Sequence, residues 1–190
     1  NIGGFVSNLN SLGFSAFGIE PQENAAKFAR QSGLNVYEGI FPNTLPNKIP
    51  RNGYSLISFM ESMYYLTDIK YALDCVHKML IPNGLILTQN ICASSSYYTK
   101  RKESLFTRFN DNVQIIPTFE GIKYQMKKSG FEILYMTELP VYIINRIFKY
   151  EGKYLKGLYA GFGTILNNLH KALSSKIEKA DKLIVLAKKV

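Results

Sequence analysis

The chain contains few cysteines and few histidines. Cys75 and Cys92 lie in apolar contexts without CxxC or histidine spacing, which favours reduced core thiols of a cytoplasmic protein over a metal site or a disulfide. His77 and His170 form no acid–base pair that the sequence makes visible, so we interpret both as satisfied or solvent-exposed side chains. The composition therefore indicates neither metal chemistry nor histidine-based catalysis.

The sequence also lacks any run of 18 apolar residues, the length that a membrane-spanning helix requires. Its first residues do not show the basic segment followed by an apolar segment that is typical of a secretory signal peptide. Internal repeats and low-complexity tracts are absent from it as well. We therefore expect a soluble, cytoplasmic protein that is at most peripheral to a membrane.

What the chain does contain is enough apolar sequence for one folded domain. Its 190 residues are 46% hydrophobic, a length and composition that predict a single domain with a substantial core. The net charge of +9 is unevenly distributed, because residues 141–190 carry 10 Lys or Arg against 3 Asp or Glu. The last quarter of the chain is thus predicted to be a different kind of segment from the rest.

Residues 13–41 have the pattern strand, acidic residue, helix, strand. An apolar strand pattern at 15–19 stops at Glu20, a helical pattern follows at 22–32, and a second strand pattern occupies 35–38. A carboxylate at the C-terminal tip of a strand in an α/β sheet is where ribose hydroxyls are usually held. The alternative interpretation of Glu20 is an ordinary acid at the start of a helix.

Further along the chain, apolar runs predict the buried strands of a parallel sheet. They lie at 54–59, 84–90 and 131–138, and a last apolar run predicts a strand at 183–189. Helical periodicity predicts helices at 4–12, 67–80 and 119–129. Thr67 is the expected N-cap of the second of these helices, and Pro82-Asn83-Gly84 is the expected break before the strand at 84–90.

The order of several short motifs resembles that of class I, Rossmann-like methyltransferases that use S-adenosylmethionine. These motifs are Gly3-Gly4-Phe5, Gly18-Ile19-Glu20-Pro21, Glu38-Gly39, Phe59-Met60-Glu61, Pro82-Asn83-Gly84, Gly130-Phe131-Glu132 and the closing strand. The resemblance covers residues 3–139 and 181–190 and lacks the family's first strand and most of its first glycine-rich motif, so we expect an N-terminally truncated domain. It implies an α/β fold with a mostly parallel sheet, an antiparallel C-terminal strand, and a helical insertion at 140–180 before that strand.

The same resemblance implies a binding site for S-adenosylmethionine. The implied residues are Gly3, Gly4, Phe5, Glu20, Pro21, Gln22, Ile40, Phe41, Met60 and Glu61. The glycines would let the backbone approach the cofactor, and Glu20 would hold the ribose hydroxyls. Pro21, Gln22 and the loop at 40–41 would surround the adenine, and Glu61 would hold part of the methionine moiety. Each of these groups also has a structural alternative, namely a plain turn, a helix-start acid or a core position.

The activity implied by the resemblance is methyl transfer, with O-methylation of a small metabolite, a sugar or a lipid-linked intermediate as the expected reaction. A sulfonium methyl group is already activated, so such an enzyme chiefly aligns the acceptor, and the sequence identifies no catalytic base. Two alternatives stay open. One is a non-catalytic interaction domain that retains the fold, and the other is a nicotinamide-dependent Rossmann enzyme, which shares the glycine turn and the strand-end acid.

The predicted insertion contains apolar residues at helical spacing between Tyr154 and Lys182, with lysines on the remaining positions. This pattern predicts a long, basic, amphipathic helix. We expect it to pack as a lid or to form a homodimer through residues 150–180. The alternative is contact with an anionic membrane surface or a lipid-linked acceptor. A nucleic-acid partner is not expected, because no interleaved aromatic and basic motif accompanies the charge.

Overall fold

The computed structural model describes residues 2–95, 98, 113–139 and 182–190. The backbone divides into two compact units, the first reaching Arg51 and the second beginning at Asn52. That the chain forms one domain stays a prediction, and the predicted insertion at 140–180 lies outside the described residues. Within the described ranges, no helix is long and apolar enough to cross a membrane, and no group of three or more His, Cys, Asp or Glu side chains could hold a metal ion.

The first unit is a small parallel α/β arrangement. Its elements are α1 (Gly4–Ser11), β1 (Gly18–Glu20), α2 (Glu23–Gln31) and β2 (Val36–Glu38). β1 and β2 pair in parallel, with Gly18 opposite Val36 and Glu20 opposite Glu38. Alanine and valine side chains form the core, which allows close packing of helix on strand: Val6, Ala16, Ala26, Ala29 and Val36.

The second unit contains a four-stranded sheet with the order β3-β4-β6-β5. The strands are β3 (Tyr54–Met60), β4 (Leu80–Ile91), β5 (Phe131–Leu139) and β6 (Lys182–Lys189), and the helices are α3 (Ile69–Met79) and α4 (Phe119–Lys128). β3 is parallel to β4, whereas β6 is antiparallel to both of its neighbours. Three strands therefore share one direction, and the prediction that the C-terminal strand runs antiparallel between the two preceding ones is confirmed.

The apolar periodicity of the sequence accounts for the core of this unit. Leu73 and Val76 on α3 and Ile86 and Val185 in the sheet are completely buried. The predicted helix boundary was wrong in one respect, because Asp68 and not Thr67 is the N-cap of α3. The Asp68 carboxylate accepts a hydrogen bond from the backbone N–H of Tyr71 at 2.9 Å, and a helix can be capped by only one of two adjacent cap-forming residues.

Two strands differ in length from the sequence patterns. β1 begins at Gly18 rather than at residue 15, because the backbone N–H of Ala16 is bonded to the Asn10 side-chain oxygen at 3.2 Å instead of to a strand. β4 begins at Leu80, before the predicted Pro-Asn-Gly break. The pairing with β3 shifts from Tyr54 opposite Leu80 to Leu56 opposite Leu85, so residues 81–84 form an irregularity inside the strand.

Candidate functional site

In the first unit, acidic residues end both strands. Glu20 is the last residue of β1 and lies beside Glu38, the last residue of β2. A carboxylate oxygen of Glu20 accepts a hydrogen bond from the backbone N–H of Gln22 at 3.0 Å, and its backbone carbonyl accepts one from Gly39 at 3.2 Å. Glu20 therefore has a local structural role at the start of α2, where a negative charge is favourable. This contact fixes the position of the carboxylate at the strand tip.

The two glycines at the start of α1, its N-cap Gly3 and its first residue Gly4, have different reasons to be glycine. Gly3 is the N-cap of α1 with φ of 86°, and a Cβ atom there would lie 2.8 Å from Leu34 Cδ1. The left-handed backbone and this packing both exclude a side chain at Gly3. Among the described residues, a Cβ atom at Gly4 would meet nothing within 4 Å, so their packing does not explain that glycine. No side chain in the described part of the chain caps the helix through a hydrogen bond, and the first turn of α1 beside Phe5 thus has the features of an anion-binding helix start.

A tight turn follows β2 and exposes an apolar side chain. The backbone N–H of Ile40 donates to Thr44 Oγ1 at 2.8 Å, and the N–H of Thr44 donates back to the Ile40 carbonyl at 2.8 Å. Ile40 is nevertheless 53% exposed, whereas Phe41 is half-buried. An exposed isoleucine on a backbone fixed in this way is suited to cover a planar ring. Pro21 and Gln22, which the sequence assigned to the same adenine, are also exposed, after β1.

In the second unit, the sheet's carboxyl edge carries a group of polar side chains that we call the Glu61 cluster: Glu61, Tyr64, Gln89 and Lys182. The Glu61 carboxylate accepts hydrogen bonds from Lys182 Nζ at 2.5 Å and Gln89 Nε2 at 3.0 Å. The Tyr64 hydroxyl donates to the same carboxylate at 3.4 Å. The Lys182 side chain is only 7% exposed and that of Glu61 30%, so the ion pair is largely shielded from water.

The strand pairing explains why these residues meet. Met60, the last residue of β3, pairs with Gln89 on β4, and Ile91 on β4 pairs with Lys182 at the start of β6. Strand ends from three different parts of the chain thus converge. Sequence reasoning identified Met60 and Glu61 but missed the partners of Glu61. The signal for Gln89 was its place at the polar end of an otherwise apolar strand, whereas nothing in the sequence connects position 61 with position 182.

The backbone of Glu61 is held in an uncommon conformation. Its φ is 56°, in the left-handed region that residues other than glycine rarely occupy. Two contacts with β4 fix this turn: the N–H of Glu61 donates to the Gln89 carbonyl at 2.7 Å, and the N–H of Met63 donates to Asn90 Oδ1 at 3.1 Å. Strained residues of this kind persist where the surroundings impose them, and they cluster at functional sites.

Burial, followed by the negative charge of Glu61, raises the pKa of Tyr64 well above its ordinary value of 10.0. Tyr64 is therefore neutral at pH 7 and donates its hydrogen to the Glu61 carboxylate. We expect the folded state to lose stability as the pH rises above 10, because Tyr64 ionises more readily in the unfolded chain.

An absorbance titration of phenolate formation measures this effect. Subtracting the Tyr64→Phe titration should reveal a tyrosine that ionises late, and Glu61→Gln should move that component to lower pH. Burial also raises the pKa of Tyr135, which serves as an internal reference that the Glu61 substitution should leave in place. A Tyr64 component that titrates near pH 10 would contradict the assignment.

Comparison with known proteins bears on both units. Residues 1–136 match the sequence model of a family described as a methyltransferase domain. No curated protein sequence matches the chain significantly. Among solved structures, an S-adenosylmethionine-dependent methyltransferase from Mesorhizobium loti is similar with a TM-score of 0.59 and 15% identity, over 91% of this chain and 80% of that one.

Two further structures show the same fold with different described activities. Phosphoethanolamine N-methyltransferase 2 from Haemonchus contortus, in complex with S-adenosylmethionine, has a TM-score of 0.63 at 15% identity, over 99% of this chain and 46% of that one. The [4+2]-cyclase SpnF has a TM-score of 0.56 at 16% identity, over 100% of this chain and 72% of that one. At these identities the likeness establishes the fold and leaves the reaction to be argued from residues.

Proposed function

Because the chain belongs to the methyltransferase-domain family and is an S-adenosylmethionine-dependent methyltransferase, we propose that it methylates an oxygen of a small metabolite, a sugar or a lipid-linked intermediate. The observation that carries the enzyme class is the family match over residues 1–136. That match names a methyltransferase domain, so the nicotinamide-dependent alternative is not kept.

The residues of the first unit fit the cofactor in this proposal. Glu20 holds the ribose hydroxyls from the tip of β1, where its carboxylate is already fixed by Gln22. Ile40, exposed on a rigid turn, covers the adenine ring. The space beside Gly4 lets the backbone at the start of α1 approach the ligand closely. Pro21 and Phe41 complete the adenine contacts.

When bound, S-adenosylmethionine would supply an activated methyl group on a positively charged sulfur, and its transfer to a hydroxyl oxygen would leave a neutral thioether and release the hydroxyl proton to bulk solvent. The protein's task is to hold the acceptor oxygen in line with that bond and to exclude water from it. In the second unit, Met60 and the Glu61 cluster stand at the sheet edge where open α/β sheets bind ligands.

The charge balance of the Glu61 cluster supports a neutral acceptor. The Glu61 carboxylate is paired with Lys182 and receives further hydrogen bonds from Gln89 and Tyr64. A carboxylate with these partners has little remaining capacity to attract a cationic amine, whereas a neutral hydroxyl needs no counter-charge. This argument favours an acceptor that binds in a neutral form, such as a hydroxyl, over one that binds as a cation. It also favours an internal structural role for Glu61 over the direct contact with the methionine moiety that the sequence suggested.

The test is a methyl-transfer assay with isotope-labelled S-adenosylmethionine and a matched panel of acceptors. Alcohols, sugars and lipid-linked sugars are compared with amines of similar size, and the methylated atom is identified by mass spectrometric fragmentation. We expect the label on oxygen. Transfer to nitrogen alone would overturn the proposed acceptor. Tight cofactor binding without any transfer across the panel would instead support the second candidate, a non-catalytic domain that retains the fold.

Homodimer formation through residues 150–180, peripheral membrane contact and a cytoplasmic location are further parts of this proposal. They rest on the amphipathic, basic pattern and the composition of the sequence. Light scattering and sedimentation with anionic vesicles measure the first two separately.

A further inference from the structure

The Gln89 side chain is buried, with half of its amide group unpaired. Its Nε2 donates to Glu61 Oε1 at 3.0 Å, whereas its Oε1 has no hydrogen-bond partner among the described residues. The residue is only 9% exposed. Glu61 fixes this orientation, because the reversed amide would place Oε1 against a carboxylate oxygen. The free oxygen is thus a defined acceptor on an immobilised group.

Buried acceptors without partners are rare in folded proteins, because an unpaired carbonyl loses its hydrogen bonds to water and gains none in return. A donor could have been supplied at low cost by a neighbouring serine or threonine. The residue at this position is instead a glutamine. Its Nε2 group donates to Glu61, and its Oε1 atom accepts no hydrogen bond from the described residues. Because Gln125 Oε1 is also buried and unpaired among the described residues, the unpaired state alone does not identify a ligand, and the position of Gln89 in the sheet has to distinguish a binding group from a packing defect.

The position of Gln89 identifies the kind of ligand. It lies near the end of β4, paired with Met60 at the end of β3 and with Ile184 on β6. This is the carboxyl edge of three strands that share one direction, the edge at which α/β sheets bind ligands. The Glu61 turn, with its left-handed backbone, is bonded to the same residue through the Gln89 carbonyl. Gln89 thus contacts the strained turn through both its backbone and its side chain.

We propose that Gln89 Oε1 accepts a hydrogen bond from a hydroxyl group of the methyl acceptor, which makes Gln89 a specificity-determining residue. The inference rests on the proposed function and adds a residue role to it: Gln89 recognises the acceptor through the O–H donor of the acceptor. A neutral amide oxygen aligns that hydroxyl without removing its proton. Glu61 and Lys182 act through Gln89 and are positioning residues.

A site that hydrogen-bonds a substrate hydroxyl rejects analogues that lack it much more strongly than an apolar pocket rejects a missing methylene. Gln89→Met keeps the approximate length of the side chain and removes the carbonyl. We expect it to raise the KM for hydroxyl acceptors about tenfold or more, with the affinity for S-adenosylmethionine unchanged.

Gln125 on α4 supplies a matched control, because its Oε1 is also buried and without a hydrogen-bond partner among the described residues. Gln125→Met removes an equivalent oxygen away from the strand ends. It should leave the KM of the acceptor unchanged. Equal changes in KM for Gln89→Met and Gln125→Met would overturn the inference, because a general packing effect would then account for both.

A second measurement does not require turnover or a folded variant. The ¹³C shift of the Gln89 side-chain carbonyl is followed in the native protein while glycerol, a hydroxyl probe, is added in the presence of S-adenosylhomocysteine. We expect the Gln89 signal to move and the Gln125 signal to stay. A Gln89 signal that glycerol leaves unmoved overturns the inference even if methyl transfer to oxygen occurs. If glycerol shifts the Gln89 carbonyl signal but the protein transfers no methyl group, the inference about Gln89 is supported and the proposed function is contradicted.

Discussion

Replacing Glu20 with Ala should weaken binding of S-adenosylmethionine about tenfold to a hundredfold. The substitution removes a charge-assisted hydrogen bond to the ribose hydroxyls, and such a bond contributes roughly 1.5–3 kcal/mol. Glu20 is the last residue of β1, and its carboxylate is held at the strand tip by the Gln22 backbone N–H. Calorimetric titration of the protein with S-adenosylmethionine measures the change directly.

The neighbouring strand provides the control for this experiment. Glu38 ends β2 opposite Glu20, is exposed, and carries the same charge. Glu38→Ala should leave the affinity within about twofold, because a screened charge without a direct contact contributes little. If Glu20→Ala bound the cofactor as tightly as Glu38→Ala did, Glu20 would be only a helix-start acid, and its loss would appear in the free energy of unfolding instead.

Replacing Glu61 with Gln should lower the free energy of unfolding by about 3 kcal/mol, the lower part of the range for breaking a buried ion pair from one side. The substitution keeps the shape of the side chain but removes the charge that balances Lys182, whose side chain is 7% exposed. Lys182→Met should cost less, because the carboxylate left behind is 30% exposed and is still hydrogen-bonded by Gln89 and Tyr64. Chemical denaturation of the three proteins provides the comparison.

A second ion pair on β6 calibrates these values. Lys188 and Glu132 are 2.9 Å apart with side chains that are 32% and 54% exposed, so Lys188→Met should cost about 1 kcal/mol or less. The double variant of Glu61 and Lys182 should recover part of the loss, since neither charge is then left alone. Equal costs for Lys182→Met and Lys188→Met, or strictly additive losses in the double variant, would show that the Glu61 cluster is not energetically coupled.

Local patterns in the sequence were sufficient to predict the helices and strands of the described fold, but not to predict every residue at which they begin or end. The strands predicted at 54–59 and 131–138 could be identified because apolar residues dominate each segment and a glycine precedes it. The start of β1 was not, because it depends on a side-chain contact from Asn10 that the strand pattern itself does not contain. The position of β6 between β4 and β5 came from the resemblance to the methyltransferase family, since periodicity identifies a strand but not its neighbours.

The residues of the candidate site also differ in whether the sequence alone could identify them. Glu20 could be proposed from sequence because its strand, its helix and its charge are adjacent in the chain. Gln89 and Lys182 could not, because their relation to Glu61 spans 28 and 121 positions and exists only once the strands have paired. Gly3 is a third case. The sequence suggested that this glycine belongs to a ligand-binding turn, whereas the structure shows that a Cβ atom at this position would lie too close to Leu34. Long-range polar contacts leave no periodic pattern to detect.

The pairing of Leu139 with Lys182 has a consequence for how this protein can change during evolution. The chain leaves β5 and enters β6 at residues that lie opposite each other in the antiparallel pair, so the sheet itself holds the two ends of the intervening segment close together. For a flexible connection between two fixed ends, the entropy of closure grows only with the logarithm of its length, about 0.6 kcal/mol for each doubling. Residues can therefore be gained or lost there at little cost to the fold, while Lys182 keeps the return point tied to the strand ends. Selection on the segment and selection on the sheet can then proceed almost independently.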